Sequence, residues 1–181
     1  MRRRWRFIIG IEVCALAGSL MPNLSAPNAH AATAADGVIH WIGTGSQIYA
    51  CERALGRFAW VLQGPDATLT DTTGQVEGKH GAGPSWTASD GSEVFGTIMT
   101  SIPAPAPSAV PWLVLRVSRH VGTGMLDSIG YVLRTDTKGG AAPSGQCDSS
   151  HVGSEQRVPY RANYTFIAER PQVSDAAKIL P

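Results

Sequence analysis

The chain has 181 residues, 43% hydrophobic and 16% charged, with a formal net charge of +1. Such a balance excludes the basic excess that neutralises a phosphate backbone, so nucleic acid is not an expected partner. The length suits one domain with a sizeable core once an N-terminal leader is set aside.

That leader opens Met1-Arg2-Arg3-Arg4-Trp5-Arg6, a dense positive start. A mostly apolar run follows from Phe7 to Met21, then a small-residue stretch holding Ala29-His30-Ala31 before Ala32. Basic start, short apolar core and A-x-A site are the parts of a secretion signal, expected over residues 1–31 with cleavage after Ala31. Glu12 interrupts the apolar run, leaving about half the ~20 residues a spanning helix needs, so no membrane insertion is expected after cleavage. The arginines lack the Phe-Leu pair of a twin-arginine signal. Glu12-Val13 before Cys14 makes a poor lipidation site. Removing the signal lowers Lys plus Arg from 15 to 11 and Asp plus Glu from 14 to 13, so the mature charge is about −2. The expected location is the periplasm or the exterior.

Only Cys51 and Cys147 remain after cleavage. Two cysteines in an exported chain usually pair, the alternative being two buried thiols. A bridge across so long a loop would stabilise by about 4 kcal/mol through the unfolded chain.

The rest reads as strands and turns. Residues 32–46 hold an N-terminal segment and a first strand, Val38–Ile42. Gln47–Arg53 is a second, joined through Ala54-Leu55-Gly56 to Arg57–Leu62, whose Phe58, Trp60 and Leu62 share a face. Gly64-Pro65-Asp66 is expected to stop that strand. Thr68–Thr70 and Gln75–His80 flank a turn at Asp71–Gly74. Ser85–Ala88 and Glu93–Thr100 flank Asp90-Gly91, a strong hairpin signal because both residues tolerate positive φ. Pro103, Pro105, Pro107 and Pro111 exclude a central strand and predict an extended surface crossover. Trp112–His120 and Ile129–Thr137 follow, then a long loop over residues 138–156. In the last strand Val158, Tyr160, Ala162, Tyr164 and Phe166 alternate with mostly polar residues. Residues 169–181 read as a flexible tail. Short strands at turn-bounded spacing predict one all-β domain over residues 47–168, an antiparallel β-sandwich or partly open barrel.

Several blocks resemble a known family. They are Phe58-Ala59-Trp60-Val61-Leu62, Pro65-Asp66-Ala67-Thr68-Leu69, Gly78-Lys79-His80, Ala82-Gly83-Pro84-Ser85-Trp86 and Asp90-Gly91-Ser92. Further on come Pro111-Trp112-Leu113, Gly139-Gly140-Ala141-Ala142-Pro143, Cys147-Asp148 and Arg157-Val158-Pro159-Tyr160. In this order, from about Gln47 to Phe166, they resemble the domain-of-unknown-function 3455 family of exported bacterial and fungal proteins. The resemblance implies an extracytoplasmic domain with its two cysteines paired. It implies no activity and no functional residue.

Chemistry has few carriers. His40, His80, His120 and His151 lack metal-ligand spacing and no C-x-x-C exists, so no metal site and no cofactor are predicted. Cleavage after Ala29 would leave His30 as an N-terminal copper chelator, but it would place Pro27 at a small-residue position. No G-x-S-x-G elbow occurs around Ser46, and Gly43–Gly45 lacks the Lys of a phosphate loop. No catalytic residue is assigned. Trp86, Trp112 and Tyr131, flanked by polar residues including Arg116 and with His80 nearby, suit stacking on a flat ligand; otherwise the tryptophans pack in the core. The expected function is a non-catalytic module binding a small molecule, glycan or envelope partner through His80, Trp86, Trp112, Arg116 and Tyr131. The alternative is an extracytoplasmic hydrolase or metal-assisted oxidase using His80 with Asp90 or another acid.

Overall fold

The computed structural model describes residues 37–169. The predicted secretion signal, Cys14, His30 and the residues beyond Glu169 lie outside them. Eight strands follow in order: β1 (Val38–Ala54), β2 (Arg57–Thr70), β3 (Val76–Gly81), β4 (Ser85–Ala88), β5 (Glu93–Ile102), β6 (Trp112–Val121), β7 (Ile129–Gly139) and β8 (Glu155–Ala168). Each pairs antiparallel with its neighbour in sequence, and β1 also pairs with β8, so one sheet closes in a ring. Among the described residues no helix is long and apolar enough to cross a membrane.

The ring is unevenly closed. β3 meets only Ala67–Thr70 of β2, and β4 meets only Glu93–Phe95 of β5. The first half of β2 and the second half of β5 therefore have a strand neighbour on one side only. Phe58 and Leu62 on β2, and Ile98, Met99 and Ile102 on β5, are exposed there.

Two predicted breaks are absent. Val38–Ile42 and Gln47–Arg53 are one strand, β1, running through Gly43-Thr44-Gly45. Those glycines serve close approach, not a turn: a Cβ on Gly43 would stand 2.6 Å from Tyr164 Cε2, so the ring of Tyr164 lies where a side chain would be. Likewise β2 continues through Gly64-Pro65-Asp66. Pro65 lies outside the β2–β3 ladder, where a missing N–H breaks least. A bulge that leaves Gln63 unpaired bends the strand just before it.

Period-two alternation points Trp41, Gln47, Tyr49 and Cys51 of β1, and Tyr160, Ala162, Tyr164 and Phe166 of β8, into the ring. Trp41 and the four β8 residues join Leu69, Trp86, Val94, Leu113, Leu115, Leu126 and Val132 in the core. Phe166 meets Trp41 edge-on at 4.7 Å and Trp86 at 6.0 Å. The proline segment is not wholly a surface crossover. Ala109 and Val110 are buried; Val110 N donates to Gly139 O at 2.9 Å and Thr137 Oγ1 to Val110 O at 2.6 Å. Its last residues thus form a strap bonded along the end of β7.

Cys51 and Cys147 are joined, with Cα atoms 5.5 Å apart and a sequence separation of 96. The bridge ties the β7–β8 loop to β1. Cys51 N donates to Ser154 O and Gly153 N to Cys51 O, both at 2.9 Å. Trp60 Nε1 donates to Gly145 O at 2.9 Å and holds the same loop over β2.

Candidate functional site

His80 on β3 and Trp86 on β4 are register partners, and their rings stack at 4.7 Å with 4° between planes. Tyr164 of β8 meets both edge-on, at 5.0 and 5.9 Å. Both are buried. His80 Nδ1 lies 2.7 Å from Ser85 O, and a carbonyl only accepts, so Nδ1 carries the hydrogen and Nε2 a lone pair in the neutral ring. Burial pushes the imidazole pKa down to about 4, against the bond to Ser85, so the ring is neutral at pH 7.

Next to this stack the interior holds further polar groups. The hydroxyls of Tyr160 and Tyr164 are 3.3 Å apart, and burial raises the pKa of both. Gln47 is 1% exposed and its Nε2 has no hydrogen-bond partner; neither has the buried Nε1 of Trp86. Arg134 of β7 pairs in register with Leu113 and Tyr164, both inward-facing, so it shares their face. Its Nε and Nη2 donate to Pro111 O at 3.1 and 2.9 Å. Gly140, at φ +82°, lets the strap settle: a Cβ there would stand 2.7 Å from Tyr160 Cβ, 3.0 Å from Gln47 Cγ and 3.2 Å from Val110 Cγ1. Tyr49 completes the group by donating its hydroxyl to Gly140 O at 2.7 Å.

The other expected site residues face outward. Arg116 is the register partner of Tyr131, with its guanidinium 5.7 Å from the ring centroid and Nη1 3.3 Å from the hydroxyl. Arg116 also pairs with Glu169 at 3.3 Å. Trp112 lies two turns of the pleat along the same face, half-buried, with its Nε1 buried and unpartnered. An open depression of about 470 Å³ beside them is lined by Thr97, Met99, Arg116, Val117 and Ser118. The five expected residues thus fall into two groups on opposite faces of the sheet: His80 with Trp86 inside, and Trp112, Arg116 and Tyr131 outside.

His80 and Asp90 make no hydrogen bond to each other. Asp90 accepts from Ser92 N at 2.9 Å, Ser92 Oγ at 2.6 Å and Met125 N at 2.7 Å, which occupy it in the β4–β5 turn. Among the described residues no three His, Cys, Asp or Glu side chains are grouped as metal ligands.

Gln47, Tyr160, Tyr164 and Arg134 were not read as site residues from the sequence, which placed Tyr160 and Tyr164 only on the apolar face of the last strand. Arg134 carried a signal: it falls two residues after Val132, on the apolar face of a predicted strand, where an arginine is out of place.

The chain belongs to the family described as protein of unknown function (DUF3455), which it matches over residues 31–168. No curated protein and no solved structure matches it.

Proposed function

We propose that this DUF3455 member is an exported, non-catalytic binding module that takes a small molecule on the inward face of its ring. The observation that carries the reading is the pair of buried inward donors without acceptors, Gln47 Nε2 and Trp86 Nε1. Buried polar groups in native proteins are almost always satisfied, and leaving one unmade costs about 1–3 kcal/mol, so two such donors inside one ring favour an absent acceptor. Binding is favoured over catalysis because neutral His80 is hydrogen-bonded to a backbone carbonyl and not to a carboxylate that would orient it as a base. The Cys51–Cys147 bridge supports an oxidising location. The outward group of Trp112, Arg116 and Tyr131 suits contact with a glycan or envelope partner, with Arg116 already stacked on an aromatic face. The test is a thermal-shift screen of the oxidised protein against metabolites and glycans. The reading expects a saturable rise in melting temperature that is lost in Trp86→Phe, which removes the indole donor and keeps a ring in the core. Failure of every compound to shift the transition would refute it.

A further inference from the structure

Arg134 is the one inward-facing guanidinium described above, and no carboxylate answers it. The ion pairs among the described residues join Arg116 to Glu169, His151 to Asp148, and Arg157 to Asp66 and Glu155; none includes Arg134. Its Nε and Nη2 converge on a single neutral oxygen, that of Pro111. A guanidinium fork matches the two oxygens of a carboxylate far better than one carbonyl. A half-buried charge facing the core without a counter-charge is also costly. Its positive charge reaches Tyr49, His80, Tyr160 and Tyr164 alike, favouring the deprotonated form of each. The polar groups on this face are the hydroxyls of Tyr160 and Tyr164, which can donate or accept, and the amide of Gln47, whose Cγ lies with Tyr160 Cβ and Val110 Cγ1 around Gly140.

We infer that the inward face of β1, β7 and β8 beneath the Val110 strap is a binding site for a small carboxylate, with Arg134 as its counter-charge and Gln47 Nε2 as a second donor. The inference rests on the reading of the ring interior as a ligand site, and it names the ligand's chemistry. A carboxylate supplies the missing negative charge and an acceptor for the Gln47 amide. The buried surroundings limit it to a small acid, because Gln47, Tyr160 and Tyr164 are each less than 5% exposed.

The test is titration calorimetry of the oxidised full chain with acetate, propionate and benzoate at constant ionic strength. Chloride and inorganic phosphate serve as comparators. The inference expects saturable binding of at least one carboxylate, weakened about tenfold or more in Arg134→Gln. Arg119→Gln, which removes a guanidinium stacked on the outward ring of Phe95, should leave that binding unchanged. If Arg134→Gln fails to fold, Gln47→Leu decides. It removes an amide whose donor has no partner, so the folding midpoint should hold or rise while carboxylate affinity drops severalfold. Equal binding of chloride and phosphate, or carboxylate binding indifferent to both substitutions, overturns the inference. Uptake of neutral compounds with no carboxylate response overturns it and leaves the binding module standing. No response to any compound removes both.

Discussion

The pH dependence of stability follows from one buried ring. His80 is neutral in the folded chain because burial drops its pKa to about 4, whereas in the unfolded chain it titrates near its ordinary value of about 6.5. Below pH 6.5 the unfolded state therefore binds a proton that the folded state refuses. Stability from this group is fully present above pH 6.5, falls as pH drops toward 4, and is level below that. The gap between the two pKa values corresponds to about 3 kcal/mol, a large share of a typical domain's stability. His80→Phe keeps the stack on Trp86 and abolishes the titration. Its baseline stability is lower, because Ser85 O loses its donor. Urea unfolding of both proteins from pH 8 to pH 4 isolates the effect. The carboxylates of Asp71, Asp90 and Asp148, held below their usual range chiefly by hydrogen bonds from Thr73, Ser92 and Ser150, also lose stability as pH falls, but they do so in both chains. The wild-type curve should drop toward the variant's by about 3 kcal/mol between pH 6.5 and 4. Parallel curves would show that His80 is solvated or charged in the native ring and would refute the reasoning.

Two further outcomes are expected. Replacing Cys51 and Cys147 together by Ala should cost about 4–5 kcal/mol, read as a fall in the urea midpoint, because the bridge closes a separation of 96 residues in the unfolded chain; no change on reduction would contradict this. Trp86→Ala should cost about 3–5 kcal/mol, since its side chain is fully buried between His80, Tyr164 and Phe166. Trp112→Ala, on the outer face, should cost clearly less in the same assay.

The strands were legible where alternation was long enough to fix a face. β8 shows this best: Tyr160, Ala162, Tyr164 and Phe166 are all buried, as their spacing predicts. The all-β antiparallel class and the Cys51–Cys147 pairing were legible from turn-bounded spacing and from the expectation that Cys14 belongs to a cleaved leader. Glycine and proline misled where they meet a tertiary demand that local pattern does not show. Gly43 makes room for Tyr164 from the neighbouring strand, and Pro65 lies where β2 lacks its second neighbour. The proline segment reads as surface until Val110, whose burial depends on its bond to Gly139, far along the chain. The inward site was illegible for the same reason. Arg134 and Tyr164 lie on the consecutive strands β7 and β8, and Gln47 lies on β1 at the other end of the chain, joined to β8 only by closure of the ring. The four residues of β4 are too few for alternation to assign Trp86 to the core.

Native mass spectrometry of the protein recovered from its producing cells and their medium tests the central proposal most directly. The account predicts a chain beginning at Ala32, two hydrogens lighter than the reduced form, carrying a small organic mass that leaves when the ring is unfolded. A chain that keeps its leader, or a bare chain that takes up no compound when supplied with a broad set of metabolites and glycans, would contradict it.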